Sequence, residues 1–180
     1  MDTIRTQIYP SPVGDLLLGD WHGMLVLCDW LLVCNGYHSD SRVHQHLGAV
    51  MEQASSPLLD ETMAQLKAYF TGHRQIFDLP LHFIGTAFQK SVWQALLHIP
   101  YGKTCSYQDI AQAIERPRAV RAVAGAIRHN PISIIVPCHR VIGKNGRLTG
   151  YNGGTEALYV KERLLAIEQR IICCSNARFP

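Results

Sequence analysis

Apolar and polar residues alternate in short runs along the first third of the chain, with turn formers between them. TIRTQIY alternates, SPVG supplies a turn, and DLLLGD and GMLVLCDW follow, so this region is predicted to form short β-strands. The period changes at Ser56. In SSPLLDETMAQLKAYFTG, Ser56 and Pro57 stand where a helix starts, Met63, Leu66 and Phe70 share a face, and Gly72 stands where it ends. The segment HRQIFDLPLHFIG has no helical period and contains Pro80, so it reads as the connection between two halves.

From Thr86 the pattern is helical. TAFQKSVWQALLHIPYG opens with a Thr-x-x-Gln capping box and sets Phe88, Val92, Trp93 and Leu96 at core spacing. SYQDIAQAIE starts with the related Ser-x-x-Asp signal, and RPRAVRAVAGAIRHN has proline near its first turn. Two short helices across a tight ERP turn predict a helix-turn-helix. The second of them is built from Ala119, Val120, Ala122, Val123, Ala124, Gly125 and Ala126, with almost no bulk. Such a surface allows close approach, either of another helix or of a nucleic-acid groove. A last helix, EALYVKERLLAIEQR, carries Leu158, Leu164 and Leu165 on its apolar side.

Composition narrows the class. With 180 residues, 47% of them hydrophobic and 17% charged, the chain matches an ordinary globular protein of one sizeable domain or two small ones. No apolar stretch is long enough to span a membrane, and MDTIRTQIYP lacks the basic start and apolar middle of a signal peptide, so the expected compartment is the cytoplasm. Six cysteines at scattered positions form no disulfide framework and read there as free thiols. Net charge is only +3, but Arg116, Arg118, Arg121, Arg128, Arg140, Lys144 and Arg147 lie close together in sequence. A basic surface of that kind suits a phosphate backbone.

The candidate chemistry lies in NPISIIVPCHRVIGKNGRLTGYNGG, residues 130–154. A cysteine is nucleophilic as its thiolate, which needs a base or positive charge nearby. Cys138 directly precedes His139, and on a regular strand the two side chains would point to opposite faces. Pro137 argues against such a strand and for a turn. A histidine base also needs an acid to hold its tautomer, and Glu168 on the final helix is a candidate.

PCHRVIG, preceded by NPISIIV and followed by GYNGG and KERLLAIE, resembles the methylated-DNA–protein-cysteine methyltransferases, or O6-alkylguanine-DNA alkyltransferases. FQKSVWQAL, IPYGKTCSYQDIA and RAVAGAIRHNP match the same family in the same order, and the resemblance is dense from Phe88 to Glu168. It implies an α/β N-terminal domain resembling ribonuclease H over residues 1–82, and a mostly α C-terminal domain with a winged-helix-like helix-turn-helix over residues 83–180. By position it implies that Cys138 is the alkyl acceptor, that His139 deprotonates it through a bridging water, and that Glu168 orients His139. It further implies that Asn130 braces the turn and that Tyr107 gives a proton to the departing base. Arg121 is similar to the arginine that enters the duplex where the damaged nucleotide has left the stack, with Ala119, Val120, Arg128, Gln108 and Ser106 as further DNA contacts. Tyr151, Asn152 and Val141 fall in the substrate pocket.

The implied activity is direct-reversal repair, a single irreversible transfer from O6-alkylguanine, with O4-alkylthymine as a second candidate substrate. The implied partner is double-stranded DNA, met by a monomer with no cofactor, no metal and no membrane. Two departures from the family pattern stand out. The segment between Gly154 and KERLLAIE is about three residues longer than usual, which leaves Glu156 and Glu162 as fallbacks for Glu168. Some relatives hold a structural zinc, yet His22 and Cys28 have no matching partners, so core or surface roles are expected for both. The rival readings are a non-enzymatic alkylation-damage binder, a helix-turn-helix regulator and a thiol hydrolase.

Overall fold

Tight turns fold the alternating N-terminal run into a meander. The computed structural model describes residues 2–31, 39–148 and 155–176, and gives side chains outside 39–41, 155–157 and 171–176. Strands β1 (Thr3–Ser11), β2 (Gly14–Trp21) and β3 (Met24–Trp30) are antiparallel, and β4 (Val50–Gln53) adds to β1 in parallel, giving the order β3-β2-β1-β4. The β2–β3 loop is His22–Gly23, with φ of +53° and +77°. Two positive-φ central residues make the turn whose twist matches a hairpin, and histidine is among the side chains that tolerate that region.

The apolar run of β3 does not alternate, for three reasons. A bulge opposite Gly19/Asp20 inserts Val26 into the register, so Val26 and Leu27 face one side while Leu25, Cys28 and Trp30 face the other. Both faces are covered. Helix α1 (Ser39–Leu47) contributes Val43 to a cluster with Ile4, Val26 and Leu27, and α2 (Pro57–Phe70) packs Leu59, Leu66 and Tyr69 against Leu16, Leu18 and Leu25. The outer edge of β3 is also paired. Leu25 donates to the Pro80 carbonyl and accepts from His82, and Cys28 donates to the Pro131 carbonyl and accepts from Ser133. An edge strand closed in this way presents no free ladder groups along those residues. β1 overhangs β4, whose pairing stops at Thr6, and Ile8 beyond it stays 52% exposed.

Helix α2 begins as expected, with Ser56 accepting from the Leu59 amide and Pro57 in the first turn. Its inward face is rotated from the predicted one. Leu59, Thr62, Leu66 and Tyr69 are buried, whereas Met63 and Phe70 are half-buried. The second half contains α3 (Ala87–Leu96), α4 (Tyr107–Ala113), α5 (Val120–Arg128) and α6 (Thr155–Asn176), with β5 (Cys105–Ser106) parallel to β6 (Val141–Ile142). Both predicted caps close as full capping boxes, Thr86 with Gln89 and Ser106 with Asp109. Helix α5 starts later than Pro117 suggests, at Val120, and Ala119 before it provides no side-chain cap. Small residues let α3 approach α5 closely, so the Trp93 indole donates to the Ala126 carbonyl at 2.8 Å. One apolar cluster continues from the sheet and α2 through α3, α4 and α5 to α6. Among the described residues, no helix is long and apolar enough to cross a membrane.

Gly85, in the connection ahead of α3, shows how tight this junction is. A Cβ there would lie 2.6 Å from Trp93 Cη2 and 2.8 Å from Gln89 Oε1. Gly85→Ala is therefore expected to destabilise the fold by ~1–3 kcal/mol through overpacking. Urea unfolding monitored by tryptophan emission checks this, with a lower midpoint at unchanged slope as the expected result.

Candidate active site

The run ISIIV before Pro137 looks strand-like but forms two successive γ-turns. Ile135 donates to the Ser133 carbonyl at 2.8 Å around Ile134, whose φ is +70°. Cys138 then donates to the Val136 carbonyl at 2.8 Å around Pro137, at φ −80° and ψ 61°. The second is the common form; the first, with a positive-φ centre, is rare and strained. A β-branched residue there costs about 1–3 kcal/mol, which the surroundings must offset. Asn130 does part of this. Its amide donates to the carbonyls of Ile132 (3.3 Å) and Val136 (3.0 Å) and accepts from the Ile132 amide (3.0 Å). Residues 138–140 follow as one 3₁₀ turn, the turn that Pro137 foreshadowed.

That turn sends His139 and Arg140 to the same carboxylate. Glu168 Oε1 accepts from His139 Nε2 (2.8 Å), Tyr69 Oη (2.8 Å) and Arg140 Nη2 (2.9 Å). Its Oε2 accepts from the Gly102 amide (2.8 Å) and Arg140 Nε (3.0 Å). Arg140 also donates to the Ile99 carbonyl and lies over the Tyr101 ring. Burial pushes the Glu168 carboxyl up, but His139 and Arg140 outweigh it and hold it at about 2. Burial lowers His139 despite Glu168, so the ring is neutral. A neutral ring still donates its Nε2–H to Glu168, and Arg140 supplies the positive charge. The tautomer is thereby set, and Nδ1 carries the lone pair. Nδ1 is buried and has no hydrogen-bond partner among the described residues.

Lys161 is one of two site residues that sequence reasoning missed. It is fully buried on α6, its ammonium donates to the Val141 carbonyl, and it lies 5.9 Å from the centre of the Tyr107 ring. Burial pulls it down to about 8, while negative charge on Cys138 pulls it up. The signal was present: Lys161, Leu164 and Glu168 stand at helical spacing on one face. Tyr69 was missed with the rotated face of α2. Arg140, counted in the basic surface, is instead buried against Glu168. The other described thiols are protonated. Burial, then Asp29 and Cys138, raise Cys28 well above its ordinary value, and burial with Asp109 raises Cys105 to about 11.

Of the remaining predicted residues, Tyr107 and Val141 both meet Lys161, and the others are dispersed. Tyr107 is buried at the start of α4, and Val141 is buried in β6. Arg121 and Arg128 are exposed on α5, Ala119 and Val120 are half-buried at its start, and a Cβ added at Gly125 would meet nothing within 4 Å. Ser106 is occupied as the cap of α4, and Gln108 donates to the Pro117 carbonyl. Tyr151 and Asn152 lie outside the described residues. Glu162 is exposed, and the side chain of Glu156 is not among those described. His22 is largely exposed and Cys28 fully buried; among the described residues no group of three or more His, Cys, Asp or Glu is placed to hold a metal.

Residues 87–170 match the family described as 6-O-methylguanine DNA methyltransferase, DNA binding domain. A methylated-DNA–protein-cysteine methyltransferase of Mycobacterium leprae is 45% identical over 176 residues, covering 98% of this chain and 99% of that protein. One from Methanosarcina barkeri is 55% identical over 109 residues, covering 61% of this chain and 67% of that protein. The crystal structure of Mycobacterium tuberculosis OGT in complex with DNA superposes with a TM-score of 0.76 at 40% identity, covering 94% of each chain.

The Glu168 cluster has a direct consequence for stability. His139 and Glu168 both titrate below their ordinary values in the folded protein, so each stabilises the fold above its unfolded value. Stability should fall as pH drops below about 6.5 through His139, and again from about 4.3 through Glu168. Glu168→Gln leaves Arg140 buried without its anion, so a loss of roughly 3–5 kcal/mol at neutral pH is expected. Urea unfolding from pH 8 to pH 3 checks both: the variant should be weaker at neutral pH and lack the Glu168 part of the acid limb.

Proposed function

The chain belongs to the methylated-DNA–protein-cysteine methyltransferase family, and from that premise we propose that Cys138 takes the alkyl group from O6-alkylguanine in duplex DNA. The protein acts in direct-reversal DNA repair by alkyl transfer. The observation that carries the assignment is the 2.8 Å contact between His139 Nε2 and Glu168, which leaves Nδ1 as the base nearest in sequence to the thiol. In this reading a water between Nδ1 and Sγ passes the thiol proton to His139, and Lys161 adds positive charge that favours the thiolate. The sulfur attacks the alkyl carbon, the carbon–oxygen bond breaks, and its electrons go to the guanine. Tyr107 gives a proton to the departing base. The product thioether has no easy hydrolysis route, so each molecule acts once.

The target carbon is hidden inside the duplex, so the nucleotide must leave the stack, at a cost of a few kcal/mol. Helix α5 suits the minor groove because its outer face has so little bulk, and Arg121 then fills the stack while Arg128 contacts phosphate. Ser106 and Gln108 would contribute mainly through backbone, given their intramolecular partners. Val141, Tyr151 and Asn152 complete the base pocket. The order β3-β2-β1-β4, with β4 parallel to β1, supports a ribonuclease H-like reading of residues 1–82. The α4–α5 pair beside the β5–β6 bridge supports a winged-helix-like reading within residues 83–180. A monomer in the cytoplasm is the fitting form, because the acceptor thiol must stay reduced.

Incubation with a duplex carrying one O6-methylguanine should raise the intact-protein mass by one methylene equivalent, and Cys138→Ser should abolish the gain. More than one transfer per protein molecule would refute the assignment. Arg121→Ala should slow reaction with the duplex by at least ~10-fold while leaving reaction with soluble benzylguanine nearly unchanged, since only the duplex needs flipping. Equal losses on both substrates would remove Arg121 from that role.

A further inference from the structure

The acceptor turn is held from outside as well as by Asn130. Ser133 engages all three of its hydrogen-bonding groups. Its amide donates to the Cys28 carbonyl at 2.6 Å, its carbonyl accepts from Ile135 at 2.8 Å, and its hydroxyl donates to Asp29 Oδ1 at 3.1 Å. Both residues are buried, and the same Asp29 oxygen accepts from the Trp30 amide at 3.0 Å. The carboxyl is therefore fixed to the sheet, and Ser133 is fixed to it. Ser133 is also the first residue of the strained γ-turn at Ile134, and the second turn ends five residues later at Cys138.

We propose that Asp29, acting through Ser133, is a positioning residue for the acceptor thiol: the N-terminal sheet holds the turn that presents Cys138. A left-handed β-branched residue relaxes unless its neighbours over-determine it. Asn130 grips the turn at Ile132 and Val136, while Ser133 between them is held, among the described residues, from β3 and by the turn's own bond. Releasing the hydroxyl lets Ile134 move toward ordinary φ, and the shift passes along two tight turns to Cys138. Displacement by about 1 Å in a reacting group can lower a rate by roughly 100-fold. The inference rests on the reading of Cys138 as the acceptor, but the positioning it describes is independent of the substrate.

The test compares Ser133→Ala, Ser133→Thr, Asp29→Ala and the double variant Asp29→Ala/Ser133→Ala. Single-turnover rates with a methylguanine duplex and with soluble benzylguanine should both fall roughly 10- to 100-fold in Ser133→Ala. Affinity for unmodified duplex should stay the same, and Ser133→Thr, which keeps the hydroxyl, should restore the rate. The acid limb of the pH–rate profile should move to higher pH as the thiol leaves its surroundings. The double variant should be no slower than the slower single variant, because the two residues act as one unit. If Asp29→Ala does not fold, the Ala–Thr pair at Ser133 still decides. The proposal is overturned if folded variants lower only the melting temperature, or if the rate losses multiply in the double variant. Iodoacetamide labelling of Cys138 across pH separates the two ideas. Should wild type take no methyl group, the functional reading fails, and positioning is still judged by whether Ser133→Ala slows labelling and shifts its pH midpoint.

Discussion

A buried carboxylate without donors costs several kcal/mol, and Glu168 answers this with donors from four residues. They come from α2, from the segment after α3 and from the 3₁₀ turn at Cys138–Arg140, while Glu168 itself belongs to α6. One side chain therefore ties the N-terminal half, the middle and the last helix to the turn at Cys138–Arg140. Tyr69 and Arg140 are part of the same requirement. With fewer donors the carboxylate would take up a proton, and the imidazole would lose the partner that selects its tautomer.

The edge of β3 makes the second tie. Its outer ladder groups pair with the connection at Pro80–His82 and with the segment Pro131–Ser133 ahead of Cys138. The strand thus serves as a rail along which the two halves are registered. The bulge at Val26 determines which residues look along that rail: Cys28 and Trp30 toward the larger core, Val26 and Leu27 toward α1. Of the two γ-turns of opposite hand, the one at Ile134 is strained and needs support from its neighbours. They persist because Asn130 and the sheet edge hold them from either side, so strain in the turn is coupled to the folding of the other half.

The basic surface is more selective than its composition implies. Arg121 and Arg128 face outward on a helix with open space beside Gly125, whereas Arg140 and Lys161 are buried against Glu168 and Val141. Positive charge is thus divided between an exposed helix face and a buried pair, Arg140 beside Glu168 and Lys161 beside Val141 and Tyr107.

Local signals determined the helices, because caps and apolar periodicity act over four or five residues. Ser56–Pro57, Thr86–Gln89 and Ser106–Asp109 each mark a start that the fold uses. The sequence also determined the cluster around Glu168 as a set of residue types, since Pro137, Cys138 and His139 are adjacent and Glu168 falls within KERLLAIE, although the segment ahead of that motif is longer than the family pattern. Helix α1 and strand β4 carried too little pattern to be read, being short and polar. Only the tertiary structure decided that Tyr69 rather than Phe70 faces inward, that Lys161 and Arg140 are buried, and that an apolar run becomes two γ-turns. Each of these depends on a partner far away in the chain: Glu168 is 99 residues from Tyr69, and Asp29 is 104 residues from Ser133. Such contacts leave no periodic trace in the sequence, because what selects them is the need to satisfy a buried polar group after the core has closed.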